Sequence, residues 1–226
     1  MKQYAVIVAG GSGSRMGGGI PKQFRSLCGK PVLWWSMKAF HEENPATALI
    51  LVLPQEFIDI WRDFFSSLAV KHQFEHQIAA GGASRSESVK NGLALVTEKE
   101  SLVAVHDGAR PLVTPEVIAR GWRMAQEKGT AIPGVSLTDS IRHLKTNGSE
   151  SVDRTEYVAV QTPQVFLSSL LKDCYEKKSG ETFTDDAAVV ENCGHHVSLY
   201  EGSHNNIKVT NPGDLEVAAV LMKKNA

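Results

Sequence analysis

Residues 8–24, "VAGGSGSRMGGGIPKQF", gather Gly10, Gly11, Gly13, Gly17, Gly18 and Gly19 around Arg15 and Lys22, directly behind a short apolar run. Glycine lets a backbone turn sharply and leaves successive N–H groups unshielded, so such a loop with two cations close behind suits a polyphosphate. Spacing excludes two familiar versions. Counted from Gly11, the dinucleotide fingerprint needs glycine at its sixth position, where Met16 stands. The next apolar run, residues 46–55, ends in Pro54 and Gln55, with no acid to hold a ribose diol. A P-loop needs Gly-Lys-Ser/Thr, and Lys22 follows Pro21. On spacing alone a polyphosphate cradle and a plain surface turn both remain open.

Two further turns carry the same kinds of group. "AGGASRS" (80–86) repeats the glycines, serines and arginine of residues 9–15, and "HDGARP" (106–111) places Asp107 three residues before Arg110. By themselves Asp107 and Arg110 could be a surface ion pair of little worth. Other chemistries lack an anchor: no Gly-x-Ser-x-Gly elbow exists for a nucleophilic serine. Cys193, His195 and His196 have no second cluster at zinc spacing.

These turns need elements to hold them. Residues 4–9, 48–53, 77–80, 102–106 and 130–135 are short, nearly continuous apolar runs, the pattern of parallel strands buried on both faces. Between them lie helical patterns with legible starts: Pro31, the Ser84/Glu87 capping box, and Thr114 before Pro115. Thr184 and Asn211 are read as caps of two later helices, and Trp34, Trp35, Trp61 and Trp122 fall in helical patterns, where core packing is expected. The alternation predicts an α/β fold: an open, mostly parallel, Rossmann-like sheet with helices on both faces, its turns beyond the strands' carboxyl ends forming a ligand crevice. Residues 137–160 break the alternation. They are polar and centre on Asn147-Gly148, a strong hairpin signal, and read as a protruding β-hairpin arm that packs on a second subunit, with a disordered loop as the other reading.

Composition limits the setting. The 226 residues are 42% hydrophobic, enough for the core of a single domain, and a net charge of −1 gives no general pull toward nucleic acid or anionic lipid. Three cysteines, odd in number, are expected as free thiols; with no apolar run long enough for a signal peptide or membrane span, a cytoplasmic location is expected.

Four segments in register, "AGGSGSRMG…PKQF", "HDGARP", "VDRTEYVAVQTPQVF" and "NIKVTNPGDL", resemble the 2-C-methyl-D-erythritol 4-phosphate cytidylyltransferases of the non-mevalonate isoprenoid pathway, over nearly the whole chain. The resemblance implies the nucleotidyltransferase type of sheet and transfer of a cytidylyl group from CTP to a polyol phosphate, with release of pyrophosphate. It also implies Mg²⁺ held mainly through the CTP phosphates, and a homodimer formed through the arm. Carried over residue by residue, Ala9, Gly10, Gly11, Ser12 and Gly13 cradle the triphosphate, and Arg15 and Lys22 stabilise the pentavalent phosphorus. Gly82 and Ser88 contact the cytosine. Asp107, Arg110, Arg154, Thr162, Thr184 and Lys208 surround the acceptor, Asp107 also meeting CTP; Arg154 comes from the arm and crosses to the partner's site. One departure stands out: the family often has Asp where this chain has Ala83, which leaves base reading to backbone groups and Ser88. Ribitol 5-phosphate cytidylyltransferases share the glycine loop, the PKQ triplet and the "NIKVT" strand, and a non-catalytic nucleotide-binding protein could be built on the same sheet.

Overall fold

In a computed structural model of the chain, the residues described are 1–10 and 21–224. In chain order the elements are β1 (Lys2–Val8), β2 (Ser26–Leu27), β3 (Lys30–Pro31), α1 (Val32–Glu43), β4 (Ala48–Leu53), α2 (Ile58–Ser66), β5 (Gln77–Ala80), α3 (Arg85–Ala94) and β6 (Ser101–Asp107). There follow α4 (Pro115–Lys128), β7 (Thr130–Ser136), β8 (Arg142–Lys145), β9 (Gly148–Ser151), β10 (Val158–Val160) and β11 (Gln164–Leu167). The last are α5 (Ser168–Lys177), α6 (Asp186–Asn192), β12 (Leu199–Glu201) and α7 (Pro212–Lys224).

All five strands expected from apolar runs are present, four of them displaced by no more than one residue at either end and β1 starting two residues earlier. The caps explain several helix limits. Thr114 accepts a hydrogen bond from Val117 N–H (3.5 Å) with Pro115 in the first turn, and α4 stops at Gly129, whose φ of 82° is open to glycine and lets its N–H reach Ala125 O. Pro31 sits just outside α1, which begins at Val32.

The strands β5-β4-β1-β6 lie side by side and parallel, Val8 standing opposite both Val52 and Asp107. The chain moves outward from β1 to β5 and then returns to the other side of β1 as β6. This reversal opens a crevice at the carboxyl ends of β1 and β6. Beyond β6 the sheet is mixed: β11 runs antiparallel between β6 and β7, β10 is antiparallel to β7, and β12 is parallel to β7. Gln161 N–H bonds to Pro133 O of β7, extending the ladder between β10 and β7 by one residue.

Alternate side chains of the central strands enter two cores. Ala5, Ile7, Leu49 and Leu51 meet Trp34, Phe40, Trp61, Ile118 and Trp122 from α1, α2 and α4. Val6, Val8, Ile50 and Val105 meet Val89, Leu171 and Val190 from α3, α5 and α6. Residues 137–157 leave this body as an arm. Its β8 and β9 form a separate exposed sheet closed over Thr146 and Asn147, with Gly148 at φ 124°. The expected arm reached residue 160; Val158–Val160 instead return to the main sheet, because their backbone pairs with Gly134–Ser136.

Candidate active site

Three loops converge at the crevice. Behind β1, Ala9 N–H bonds to Val52 O (2.9 Å), and Gln23 Nε2 donates to Ala9 O (2.6 Å). That second bond fastens the tight turn Lys22–Phe24 against the exit of β1 and brings Lys22 to the cleft. Gly11, Ser12, Gly13 and Arg15 lie outside the described residues.

Behind β5, Gly81 N–H bonds to Leu53 O (2.7 Å), and the chain turns into α3. Ser84 Oγ accepts from Glu87 N–H, as its capping role requires, while the Glu87 carboxylate takes Ala83 N–H (2.7 Å) rather than that of Ser84. Ser88 Oγ accepts from Gly82 N–H (3.1 Å) and donates to Ser84 O (2.9 Å). A Cβ on Gly82 would stand 2.3 Å from that of Glu87, so glycine is needed here for a close approach within the loop as well as for any ligand.

Behind β6, Asp107 is almost enclosed. Its Oδ2 lies 2.8 Å from Lys208 Nζ and 3.5 Å from Arg110 Nε, and its Oδ1 lies 3.9 Å from Arg85 Nε. Burial pushes this carboxyl up, but the cations, Lys208 foremost, outweigh it and hold it well below the usual carboxylate range. Burial also pushes the Arg110 guanidinium down, against the raising influence of Asp107. Lys208 arrives from the far end of the chain because Val209 N–H bonds to Ala109 O (2.8 Å) and Arg110 Nη1 donates to Asn206 O (2.8 Å).

A buried relay supports Asp107 from behind. Its N–H donates to Thr162 Oγ1 (3.0 Å), which lies 3.0 Å from His106 Nδ1, and His106 Nε2 faces Arg110 O (3.2 Å). A carbonyl only accepts, so Nε2 carries the proton and Nδ1 accepts from the threonine hydroxyl. Burial lowers the His106 pKa to about 4, consistent with this neutral tautomer.

The structure therefore brings Ala9, Gly10, Lys22, Gly82, Ser88, Asp107 and Lys208 to one cleft. Arg110 and Thr162 stand behind Asp107. Two other expected residues do not line the cleft of their own chain, Arg154 having been expected at a partner's. Thr184 is exposed and does not cap α6; Asp185 does, accepting from Ala188 N–H (3.0 Å), because Gln164 Oε1 grips the N–H groups of Asp186 and Ala187 and fixes where the helix starts. Arg154 is exposed at the base of the arm, where its guanidinium donates to Thr138 O. Arg85 was not singled out from the sequence, yet it lines the cleft. Its only local signal is its place in the second Gly/Ser turn.

Arg85 and Lys208 thus face one carboxylate, and Lys22 lines the same switch-point crevice, which defines an α/β protein that binds nucleotide phosphates. The family model described as IspD: 2-C-methyl-D-erythritol 4-phosphate cytidylyltransferase matches residues 3–224. The enzyme of that name from Bacteroides thetaiotaomicron is 49% identical over 98% of this chain and 100% of its own length, and that from Bacteroides fragilis has the same identity and coverage. The crystal structure of the Thermus thermophilus enzyme superimposes with a TM-score of 0.79 at 30% identity, covering 99% of this chain and 100% of that one. The chain belongs to the 2-C-methyl-D-erythritol 4-phosphate cytidylyltransferase family.

Proposed function

We infer that this cleft transfers the cytidylyl group of CTP to 2-C-methyl-D-erythritol 4-phosphate, giving 4-diphosphocytidyl-2-C-methyl-D-erythritol and pyrophosphate. The observation that carries the chemistry is the placement of Lys22 and Lys208, from opposite ends of the chain, on one cleft. A phosphate monoester must approach a triphosphate, and each pair of like charges at about 5 Å repels by roughly 3 kcal/mol at an effective dielectric near 20. In our reading Lys22, with Arg15, meets the charge that develops on the α-phosphorus, while Lys208 and Arg110 hold the acceptor phosphate for in-line attack. The phosphate dianion is already nucleophilic at neutral pH, so no side chain need act as a base.

Gly10 and the loop around Gly82 and Ser88 are read as the nucleotide wall, with Ser88 facing the base through its remaining lone pair. Thr162 is read as a support that aims Asp107. Thr184 stays in the proposal as an acceptor-side residue on the family resemblance alone. Mg²⁺ fits this donor set as a companion of the nucleotide: Asp107 is the one carboxylate lining the described part of the cleft, and three cations already face it. The CTP phosphate oxygens and water would hold the ion, and it would neutralise phosphate charge.

We read the chain as one cytidylyltransferase unit that pairs as a homodimer through the arm, so that Arg154 serves the site of a second copy. The exposed Leu144, Tyr157, Val158 and Val160 on the arm and its root support this reading. Among the described residues no helix is long and apolar enough to cross a membrane, and the three cysteines are free thiols, which supports a reducing, cytoplasmic setting. The deciding experiment offers CTP with methylerythritol phosphate and, separately, ribitol 5-phosphate while pyrophosphate is measured. Release with the first acceptor is expected; release with ribitol 5-phosphate alone, or with neither, overturns the assignment.

A further inference from the structure

Arg85 breaks a local rule. It is the first residue of α3, where the helix dipole favours an acid, so its cation does not serve the helix that carries it. Tertiary partners account for it. Arg85 Nη2 lies 2.6 Å from Asp186 Oδ2, a carboxylate with no exposed surface, 101 residues away in the chain. The other oxygen of Asp186 accepts from Tyr175 OH (2.6 Å), and its backbone N–H is held by the buried Gln164 (3.0 Å). The guanidinium is therefore anchored from behind on α6, and its Nε is turned to Asp107 Oδ1 while Lys208 and Arg110 occupy Oδ2. The two oxygens of Asp107 thus meet different cations, and one negative charge is divided among three of them.

We propose that Arg85 is a positioning residue of the transfer: anchored by Asp186, it takes a share of the Asp107 charge and so leaves Lys208 able to turn to the acceptor phosphate. Without Arg85 the whole of that charge falls to Lys208 and Arg110, and the incoming phosphate must compete with a tighter ion pair. The proposal rests on the reading that Lys208 meets the acceptor, and the test separates the two.

Steady-state kinetics with CTP and methylerythritol phosphate are measured for the parent, Arg85→Gln, Lys208→Ala and the double variant. Arg85→Gln is expected to raise the acceptor KM roughly tenfold, the scale of coupling between contacting charges, while the KM for CTP moves by less than about threefold. Lys208→Ala is expected to raise the acceptor KM as well, and the double variant to be no worse than Lys208→Ala, since Arg85 acts through that lysine. A parent-like acceptor KM in Arg85→Gln beside a raised one in Lys208→Ala overturns the proposal and leaves the role of Lys208 standing. Independent, multiplying effects in the double variant overturn it too. A parent-like acceptor KM in Lys208→Ala overturns the reading of Lys208, and the proposal with it. Because Arg85→Gln strands a buried carboxylate, Arg85→Gln/Asp186→Asn supplies a neutral pair. Its melting temperature is expected to recover while the acceptor KM stays raised. Recovery of both shows that Arg85 only holds α6 in place, and overturns the proposal.

Discussion

Replacing Asp107 by asparagine keeps the shape of the side chain and removes the anion that Lys208, Arg110 and Arg85 share, leaving Arg85 its other partner, Asp186. At an effective dielectric near 20, the atomic separations of 2.8, 3.5 and 3.9 Å correspond to gross attractions of about 6, 5 and 4 kcal/mol. Most of that is cancelled by the desolvation of the charges, and the Lys208 side chain, 42% exposed, is further screened by solvent. Removing the shared partner of a buried charge cluster costs about 3–5 kcal/mol, and the exposure of Lys208 places this case at the lower end. For a chain of this size about 3 kcal/mol lowers the melting temperature by roughly 6–12 °C. The assay is thermal unfolding of parent and Asp107→Asn, without ligand and with pyrophosphate, which restores negative charge to the cluster and is expected to protect the variant more than the parent. The pH dependence carries a sign. The folded-state pKa of Asp107 is depressed, so its contribution is present above the ordinary carboxylate pKa of 3.8 and is lost only as pH falls below that value toward the folded pKa. The stability gap between parent and variant should therefore be level from pH 5 to about pH 9 and close below about pH 4. A melting temperature within about 2 °C of the parent, or a gap that closes near neutrality, would refute the reasoning.

His106, with its pKa lowered from 6.5 to about 4, contributes stability that is fully present above pH 6.5 and lost as pH falls toward 4, about 3 kcal/mol over that window. Denaturant unfolding of His106→Gln should show a weaker loss than the parent across that window, and equal losses would remove His106 as the titrating group. Lys22→Ala should lower kcat by roughly 10²-fold or more with a smaller change in CTP affinity, which single-turnover measurement checks. Mixing inactive Arg154→Ala with inactive Lys22→Ala chains should restore up to about one intact site per heterodimer if the arm crosses a two-fold axis. No recovery in demonstrated heterodimers would show that Arg154 serves its own chain or none.

Much of the frame is legible in the chain because it depends on near neighbours. A short, continuous apolar run such as residues 48–53 has the length of a buried strand, Thr114 and Ser84 cap helices through N–H groups three residues on, and Asn147-Gly148 closes its hairpin within one residue of the expected place. The three glycine-bearing turns could be assigned to one rim because parallel strands all end on the same side. What stayed hidden depends on distant partners. Three successive residues, Thr184, Asp185 and Asp186, can each cap a helix, and Gln164, some twenty residues earlier, decides among them by holding two N–H groups of α6. The direction of β11 follows from pairing with both β6 and β7, which no pattern within four residues encodes. Gly82 looks like a ligand contact in the sequence, and only the position of Glu87 shows that its own loop also leaves no room for a Cβ. Arg85 looks like a helix-end misfit until folding sets it between Asp186 and Asp107. Local order follows from backbone preference and side-chain period, which act over a few residues, whereas a buried charge takes its meaning from whichever opposite charges the packed sheet brings within about 4 Å.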